Sequence, residues 1–188
     1  MKKWLKTDRA AAGDEFSRIL TAIYDFSGRG AAVDLGCGEA HVTQHWPMCC
    51  LIDLVKREAV ARPIEQVDIR AVPTWFFSEN RKVNLAVMLD SLEHLTKADG
   101  EKLLTGMEPI AKAILVFAPI GDYKVNAEAK DPDTHKSGWT PAEMAAKGWT
   151  VWERPAWHPF VGAFWAWKWR YEGAPTAEEV AAKAGVIR

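Results

Sequence analysis

The stretch that decides the fold is Ala31-Ala32-Val33-Asp34-Leu35-Gly36-Cys37-Gly38-Glu39-Ala40. Its first half has the apolar character of a buried strand, and the two glycines that follow predict a tight turn into a helix. Gly36 and Gly38 carry no Cβ, so they can adopt positive φ and let the backbone pass close to an adenosine-type ligand. The turn alone is equally compatible with an ordinary strand-to-helix connection, so its interpretation depends on the sequence downstream.

A second apolar run supports a nucleotide-binding interpretation. Cys49-Cys50-Leu51-Ile52-Asp53-Leu54 ends in an acid about 17 residues after Gly36, near the roughly 20-residue spacing of a nucleotide-binding βαβ unit. An acid at this position can accept hydrogen bonds from two ribose hydroxyls, whereas the alternative is a turn residue that follows a strand. Together the glycine turn and Asp53 predict a cradle for a cofactor.

The composition is that of one soluble globular domain. The chain has 188 residues, of which 48% are hydrophobic and 26% charged, and no apolar run approaches the roughly 20 residues that cross a bilayer. The first residues do not lead into the apolar core of a secretory signal. We therefore expect a single domain over residues 1–188, with a lead helix at 14–27, a core at 31–171 and a tail at 172–188. Three cysteines, an odd number with two adjacent, predict reduced thiols and a cytoplasmic location.

Charge and aromatic content bear on the partner. The 24 basic and 25 acidic residues nearly cancel, so no basic surplus attracts a phosphate backbone, and nucleic acid is a poor candidate for the substrate. We therefore expect a small-molecule acceptor. The ten tryptophans fall mostly late in the chain. They are interpreted as core and strand packing, or alternatively as a rim of indoles that holds a flat or apolar acceptor.

Hydrophobic periodicity predicts strands that alternate with helices after the lead helix. Short apolar runs indicate strands at residues 31–35, 49–54, 66–69, 83–89 and 113–118. Helices are expected at 39–46 and 99–111, and another begins at Thr140-Pro141, where an N-cap precedes a proline. The remaining segments are expected to be a brief helix or turn at 55–61, irregular chain at 71–81, a long loop at 121–138, an aromatic hairpin of 149–157 with 162–171, and a short helix within 175–188.

In this order the segments resemble the class I S-adenosylmethionine-dependent methyltransferases, in particular small members similar to methyltransferase type 11, over about residues 31–171. Val33-Asp34-Leu35-Gly36-Cys37-Gly38 resembles the family's first motif, Asp53 the acid that holds the ribose, and Asp68 the acid near the adenine amino group. Leu89-Asp90-Ser91-Leu92-Glu93-His94-Leu95 resembles the segment after the fourth strand. Where the family often has a third glycine, this chain has Ala40, the smallest substitute.

This resemblance implies an α/β fold, a Rossmann-like, doubly wound, mainly parallel seven-stranded sheet with a final antiparallel hairpin. It implies S-adenosyl-L-methionine as the cofactor, and an enzyme that transfers the methyl group to a small-molecule acceptor, with oxygen as the preferred target atom. It also implies cofactor contacts from Asp34, Gly36, Cys37, Gly38, Asp53, Leu54, Asp68, Ile69, Leu89 and Asp90.

A hydroxyl acceptor is helped by a base with a pKa near neutrality that removes its proton as the methyl group arrives. The candidate catalytic residues are His94 and His135; the alternatives are a packing or capping role for His94 and a plain surface position for His135. Asp90, Glu93 and His94 have the spacing that gathers them on one face if a helix begins by Asp90. Similar segments bind a divalent ion in ubiquinone-pathway O-methyltransferases, but they are also common in relatives without a metal, and we expect no metal here.

Two other functions remain open. A nicotinamide-dependent oxidoreductase uses a glycine turn and an acid such as Asp53 in a similar way, although the aromatic hairpin and the segment after the fourth strand argue against it. A catalytically silent cofactor-binding protein of the same fold would keep Gly36, Gly38 and Asp53 and transfer nothing. The sequence does not determine the acceptor, the target atom or the oligomeric state.

Overall fold

Helices and strands alternate along most of the chain. The computed structural model describes residues 9–55, 60–123, 133–155, 157 and 161–186, with backbone alone for residues 9–14. The strands are β1 (Ala32–Leu35), β2 (Cys49–Asp53), β3 (Ile64–Gln66), β4 (Val83–Leu89), β5 (Ala111–Pro119), β6 (Thr150–Arg154) and β7 (Ala163–Trp169). The α-helices are α1 (Arg9–Ser27), α2 (Val72–Ser78), α3 (Lys97–Met107), α4 (Pro141–Ala146) and α5 (Ala177–Ala184). Single 3-10 turns cover Thr43–His45, Ile69–Ala71 and Leu92–His94.

The strands form one sheet in the order β3-β2-β1-β4-β5-β7-β6. β1 pairs in parallel with β2 on one side and β4 on the other, so that Val33 lies opposite Cys50 and Ala86. β7 lies between β5 and β6 and runs antiparallel to both. These pairings confirm the predicted parallel sheet with a final antiparallel hairpin. Because the strand order reverses between β1 and β4, a ligand crevice is expected at the carboxyl ends of those strands.

Helices cover both faces of the sheet, which explains why its inner strands are continuous apolar runs. Along β4, Leu85 and Val87 point into the layer that contains α1 and α5, whereas Ala86 and Met88 point into the layer that contains α2 and α3. All four side chains are fully buried. The residues able to do chemistry therefore collect beyond the ends of the strands rather than on their faces.

The large tryptophans of the second half of the chain belong to the core. Trp139, Trp165 and Trp167 are fully buried. The indole N–H of Trp139 donates to Ser137 Oγ at 2.9 Å, and that of Trp167 donates to Pro175 O at 2.8 Å. None of these three rings lines the cavity described below, so the packing interpretation holds for them.

Two segments differ from expectation because of local backbone geometry. The helix expected at 39–46 is reduced to the turn Thr43–His45, since Ala40 has φ +45° and is outside the helical region. The irregular segment expected at 71–81 contains α2, where Pro73 lies in the first turn and removes no hydrogen bond from the helix. The third strand begins two residues earlier than expected. Of the brief helix or turn expected at 55–61 and the loop expected at 121–138, residues 56–59 and 124–132 lie outside the described residues.

No helix in the described ranges is long and apolar enough to cross a membrane. None of the three cysteines, Cys37, Cys49 and Cys50, forms a disulfide. Burial raises the pKa of the Cys49 and Cys50 thiols, which disfavours the reactive thiolate. The cytoplasmic location expected from the cysteine content stays a prediction.

Candidate functional site

A cavity of about 330 Å³ lies beyond the carboxyl ends of β1, β2 and β4. Its wall is made of Gly36, Gly38, Asp53, Leu54, Val55, Asp68, Ile69, Arg70, Asp90, Ser91, His94, Leu95, Thr96, Asp99, Asp133 and Lys136. A second hollow of about 500 Å³ lies between α4 and β6 and is lined by none of the predicted site residues. Ligands of open α/β sheets bind beyond the carboxyl ends of the strands, so the first cavity is the candidate site.

The first glycine of the turn is fixed by a close approach to the chain after β4. Gly36 has φ +76°, and a Cβ added there would lie 2.6 Å from the Cβ of Ser91. Ser91 is itself held in place, because its Oγ donates to Leu35 O at 2.8 Å. The backbone N–H groups of Gly36 and Cys37 both donate to Ile52 O, at 2.8 and 3.0 Å, which ties the turn to the end of β2. No larger residue fits at position 36 without moving the β4 segment.

The second glycine opens onto the cavity instead. Gly38 has φ +52°, and nothing lies within 4 Å of the position that a Cβ would take. Ala40, at the place of the family's third glycine, also has positive φ, at +45°. A left-handed conformation costs a residue with a side chain about 1–2 kcal/mol, which explains why glycine is usual at this position.

The carboxylate of Asp53 is held rigidly by the backbone around it. Its Oδ2 accepts from Gly38 N at 2.8 Å, and its Oδ1 accepts from Val55 N at 2.9 Å. Each oxygen has a second lone pair, so both can still accept from a ligand. Leu54 and Val55, which follow it along the cavity wall, are unusually exposed for apolar residues. Asp53 thus has the orientation and the free capacity that a diol-binding acid needs.

A second acid of the cavity wall, Asp68, forms an ion pair with Arg70. Its carboxylate caps the turn Ile69–Ala71 by accepting from Arg70 N at 2.9 Å, and it also pairs with the Arg70 guanidinium. This side-chain hydrogen bond from Arg70 lowers the pKa of Asp68. Arg70 reaches Asp99 as well, with Nη1 3.7 Å from Oδ2. Arg70 was not predicted as a site residue, because its only signal in the sequence is its place two residues after a capping acid.

The segment after β4 is turned sharply rather than helical. Asp90 has φ +50°, and its N–H donates to Phe117 O at 2.9 Å. The chain then makes one 3-10 turn over Leu92–His94, so no α-helix begins by Asp90. The helical face expected to gather Asp90, Glu93 and His94 is therefore not formed, because the left-handed residue interrupts it.

A different group forms there, since the loop before α4 packs onto this turn. Glu93 O accepts from Lys136 N at 2.8 Å and from Ser137 N at 3.1 Å, which brings His135 against His94. The two imidazole rings meet edge to face with centroids 4.9 Å apart. One side-chain ligand atom each from Glu93, His94 and His135 lies within 4.8 Å of the other two. The two predicted catalytic histidines are thus neighbours, although only His94 lines the cavity.

Burial controls the protonation of this group. Glu93 is 2% exposed, and loss of hydration together with the nearby Asp90 charge raises the pKa of its carboxyl. Burial likewise lowers the pKa of His135, an effect that the neighbouring His94 increases. His135 Nδ1 lies 2.6 Å from Tyr123 O and donates its N–H to that carbonyl. The neutral ring therefore keeps its lone pair on Nε2.

Three predicted cofactor residues lie outside the cavity wall, namely Asp34, Cys37 and Leu89. Asp34 is 1% exposed; its Oδ2 accepts from Thr43 Oγ1 at 2.5 Å, and its Oδ1 has no partner among the described residues. Burial raises the pKa of Asp34 to about 7. The cofactor role of these three residues stays a prediction. Thr43 was not identified from the sequence, in which nothing marks it as the partner of a buried acid.

The fold is that of the class I S-adenosylmethionine-dependent methyltransferases. It is similar to DhpI in complex with SAH, with a TM-score of 0.61 and 15% identity over 88% of this chain and 87% of that one. Magnesium protoporphyrin IX methyltransferase from Synechocystis PCC 6803 with bound SAM gives a TM-score of 0.58 and 10% identity over 90% of this chain and 85% of that one. The methyltransferase domain of bacterial CtHen1-CN gives a TM-score of 0.55 and 13% identity over 82% of this chain and 97% of that one. No protein-family model and no curated protein matches the sequence.

Proposed function

We propose that this protein is an S-adenosylmethionine-dependent methyltransferase that acts on a hydroxyl oxygen of a small molecule. The observation that carries the proposal is the cradle formed by Gly36, Gly38 and Asp53 at the point where the strand order of the sheet reverses. A fold hosts many functions, so these residues, rather than the architecture, support the proposal.

The residues fit the cofactor in four respects. The open space beside Gly38 admits a ligand against the backbone, since a Cβ there would meet nothing. Asp53 offers two oriented oxygens to the ribose hydroxyls. Leu54 and Ile69 offer apolar surface to the adenine, and Asp68 offers an acceptor to its amino group. When bound, S-adenosylmethionine supplies a methyl group already activated by its sulfonium.

The acceptor end of the cavity is assigned to the side of His94. His94 lies on the wall, with Lys136 and Asp133 from the loop before α4 nearby on the same wall. Transfer to a hydroxyl requires its proton to leave, and either a histidine accepts that proton or a metal ion held by the cluster behind the wall would lower the pKa of the hydroxyl. The chain's further task is to align the acceptor and exclude water.

The charge of the cavity supports a small acceptor without phosphates. Five aspartates line the wall, Asp53, Asp68, Asp90, Asp99 and Asp133, against two basic side chains. Such a wall repels a polyanion, in agreement with the net charge of −1 of the whole chain. We therefore propose a neutral or cationic small molecule as the acceptor, although one similar structure is named as a small RNA methyltransferase.

The test is a calorimetric titration of the protein with S-adenosylhomocysteine. Asp53→Ala removes both ribose contacts and is expected to weaken binding by about 1–3 kcal/mol, or roughly 5- to 150-fold. Glu153→Ala is the matched control, because Glu153 is an exposed carboxylate on β6 at the opposite edge of the sheet. Absence of binding by the unaltered protein, combined with binding of NADH, would favour the oxidoreductase alternative.

Binding without turnover would favour the catalytically silent alternative. The distinguishing assay follows release of S-adenosylhomocysteine while the protein is offered a panel of hydroxylated small molecules and a small RNA. We expect methyl transfer to at least one neutral or cationic hydroxyl compound and none to the RNA. Transfer to the RNA alone would contradict the proposed acceptor class while leaving the cofactor assignment intact.

A further inference from the structure

We propose that Glu93, His94 and His135 form a binding site for one divalent transition-metal ion beside the acceptor end of the cavity. The three side chains come from two segments about 40 residues apart, and each places one ligand atom within 4.8 Å of the other two. Two imidazole nitrogens and a carboxylate are a donor set common in metal sites that keep coordination positions open. The binding site stands on these contacts; its role in methyl transfer rests on the proposed function.

Both histidine rings are oriented as metal ligands usually are. His135 Nδ1 lies 2.6 Å from Tyr123 O, and His94 Nδ1 lies 3.4 Å from Thr134 O. A backbone carbonyl at Nδ1 holds the proton on that nitrogen and leaves the lone pair on Nε2, the atom that binds a metal. His135 Nε2 lies 4.0 Å from Glu93 Oε1, so it points toward the carboxylate.

Glu93 supplies an independent reason to expect a cation. Its side chain is 3% exposed, and its Oε2 has no hydrogen-bond partner among the described residues. An ionised carboxylate buried without a partner is strongly unfavourable, so such a group either keeps its proton or is paired with a cation or a metal. Among the described residues no Lys or Arg side chain forms an ion pair with Glu93, and the neighbouring charge is that of Asp90, which has the same sign.

The backbone holds the three ligands close to the distances that an ion needs. Lys136 N and Ser137 N donate to Glu93 O and clamp the loop that bears His135 onto the turn that bears Glu93 and His94. In a filled site with bonds of about 2.1 Å, neighbouring ligand atoms lie roughly 3.0–3.4 Å apart. Binding therefore requires ligand atoms that lie up to 4.8 Å apart to approach one another by at most about 1.4–1.8 Å, which rotation of the side chains can supply.

The donor set also selects the kind of ion. Imidazole favours transition-metal ions such as zinc, cobalt and iron over magnesium and calcium, which prefer oxygen ligands alone. His94 belongs both to this cluster and to the cavity wall, so an acceptor oxygen can reach the open coordination positions from the cavity. There the ion lowers the pKa of the hydroxyl. The O–H bond breaks and the proton passes to water, while the oxygen–carbon bond forms as the carbon–sulfur bond of the cofactor breaks.

The test titrates untagged full-length protein with Mn²⁺, Co²⁺, Zn²⁺ and Mg²⁺ in the absence of any cofactor. We expect one equivalent of Co²⁺ or Zn²⁺ to bind, with visible absorption of Co²⁺ that reports imidazole coordination. Glu93→Gln, His94→Ala and His135→Ala are each expected to weaken binding about tenfold or more. His45→Ala and Glu153→Gln are the matched controls, because both residues are exposed and lie outside the cluster.

Circular dichroism and thermal melting identify any variant that fails to fold. If either His94→Ala or His135→Ala fails to fold, the other variant tests the proposal. The proposal is wrong if the unaltered protein binds no ion, or if His45→Ala lowers affinity as much as His135→Ala does. It is also wrong if the Co²⁺ spectrum is the same with and without His94 and His135. Because this titration contains no S-adenosylhomocysteine, its failure leaves the proposed cofactor untouched, and loss of cofactor binding likewise leaves the metal result standing.

Discussion

The two glycines of the first turn should respond differently to the same substitution. In Gly38→Ala the new Cβ meets nothing within 4 Å. The free energy of unfolding therefore falls only by the strain of a left-handed alanine, about 1–2 kcal/mol. For a chain of this length that lowers the melting temperature by about 2–8 °C. The same Cβ occupies the space through which the cofactor is proposed to approach the backbone. We therefore expect affinity for S-adenosylhomocysteine to fall by at least about tenfold, or 1.4 kcal/mol.

Gly36→Ala adds a steric conflict to the strain, because its Cβ would lie 2.6 Å from the Cβ of Ser91. Overpacking costs about 1–3 kcal/mol, so the expected loss of unfolding free energy is about 2–5 kcal/mol. Combining it with Ser91→Gly removes the opposing Cβ. The double variant should then be less destabilised than the sum of the two single variants, by about 1–3 kcal/mol.

The assays are urea denaturation and calorimetric titration with S-adenosylhomocysteine. Unchanged affinity in Gly38→Ala would refute the assignment of the cofactor to the space beside this glycine. Equal stabilities of Gly36→Ala and Gly38→Ala, or strict additivity with Ser91→Gly, would refute the contact between the turn and the segment after β4.

The remaining predictions concern two carboxylates. Burial raises the pKa of Asp34 from 3.8 to about 7, so the folded state keeps a proton that the unfolded state loses, and stability decreases as pH rises from about 4 to about 7. Asp34→Asn should remove up to about 3 kcal/mol of that loss between pH 5 and pH 8, seen by comparing its unfolding free energies at these two pH values with those of the unaltered protein; equal slopes would contradict the burial argument. Thr43→Val deletes the hydrogen bond that Thr43 Oγ1 donates to Asp34 Oδ2, and should cost about 1–3 kcal/mol at pH 8 but less at pH 5, by the same denaturation assay. Arg70→Ala should raise the pKa of Asp68, followed by NMR titration of its carboxyl carbon, with little change in stability because the pair is partly exposed.

Most of the fold was predictable because its signals are local. β4 was predicted with its observed ends, since a strand covered on both faces is a continuous apolar run. The N-cap at Thr140 was predicted as well, and its side chain accepts from Glu143 N. α2 was missed because Pro73 resembles a helix breaker in a sequence, whereas a proline in the first turn is compatible with a helix.

The candidate site was likewise predictable only where its residues have a local signal in the sequence. Gly36, Gly38 and Asp53 lie at the predicted place because they follow strands whose order the fold imposes. The contact between His94 and His135 was not predictable, since it depends on two backbone hydrogen bonds to Glu93 O that leave no pattern in the sequence. A left-handed Asp90 likewise has no signal that spacing alone reveals.

The carbonyl of Ile52 accepts the N–H groups of both Gly36 and Cys37, and the next residue, Asp53, accepts that of Gly38. The turn and the acid therefore move as one piece, anchored to the end of β2 and independent of the connection between β5 and α4. None of these three hydrogen bonds involves that connection, although two of its side chains, Asp133 and Lys136, line the cavity. The protein is accordingly a suitable scaffold for engineering, in which Asp133 and Lys136 are varied to select new acceptors, His135 is kept, and cofactor affinity serves as the constant reference.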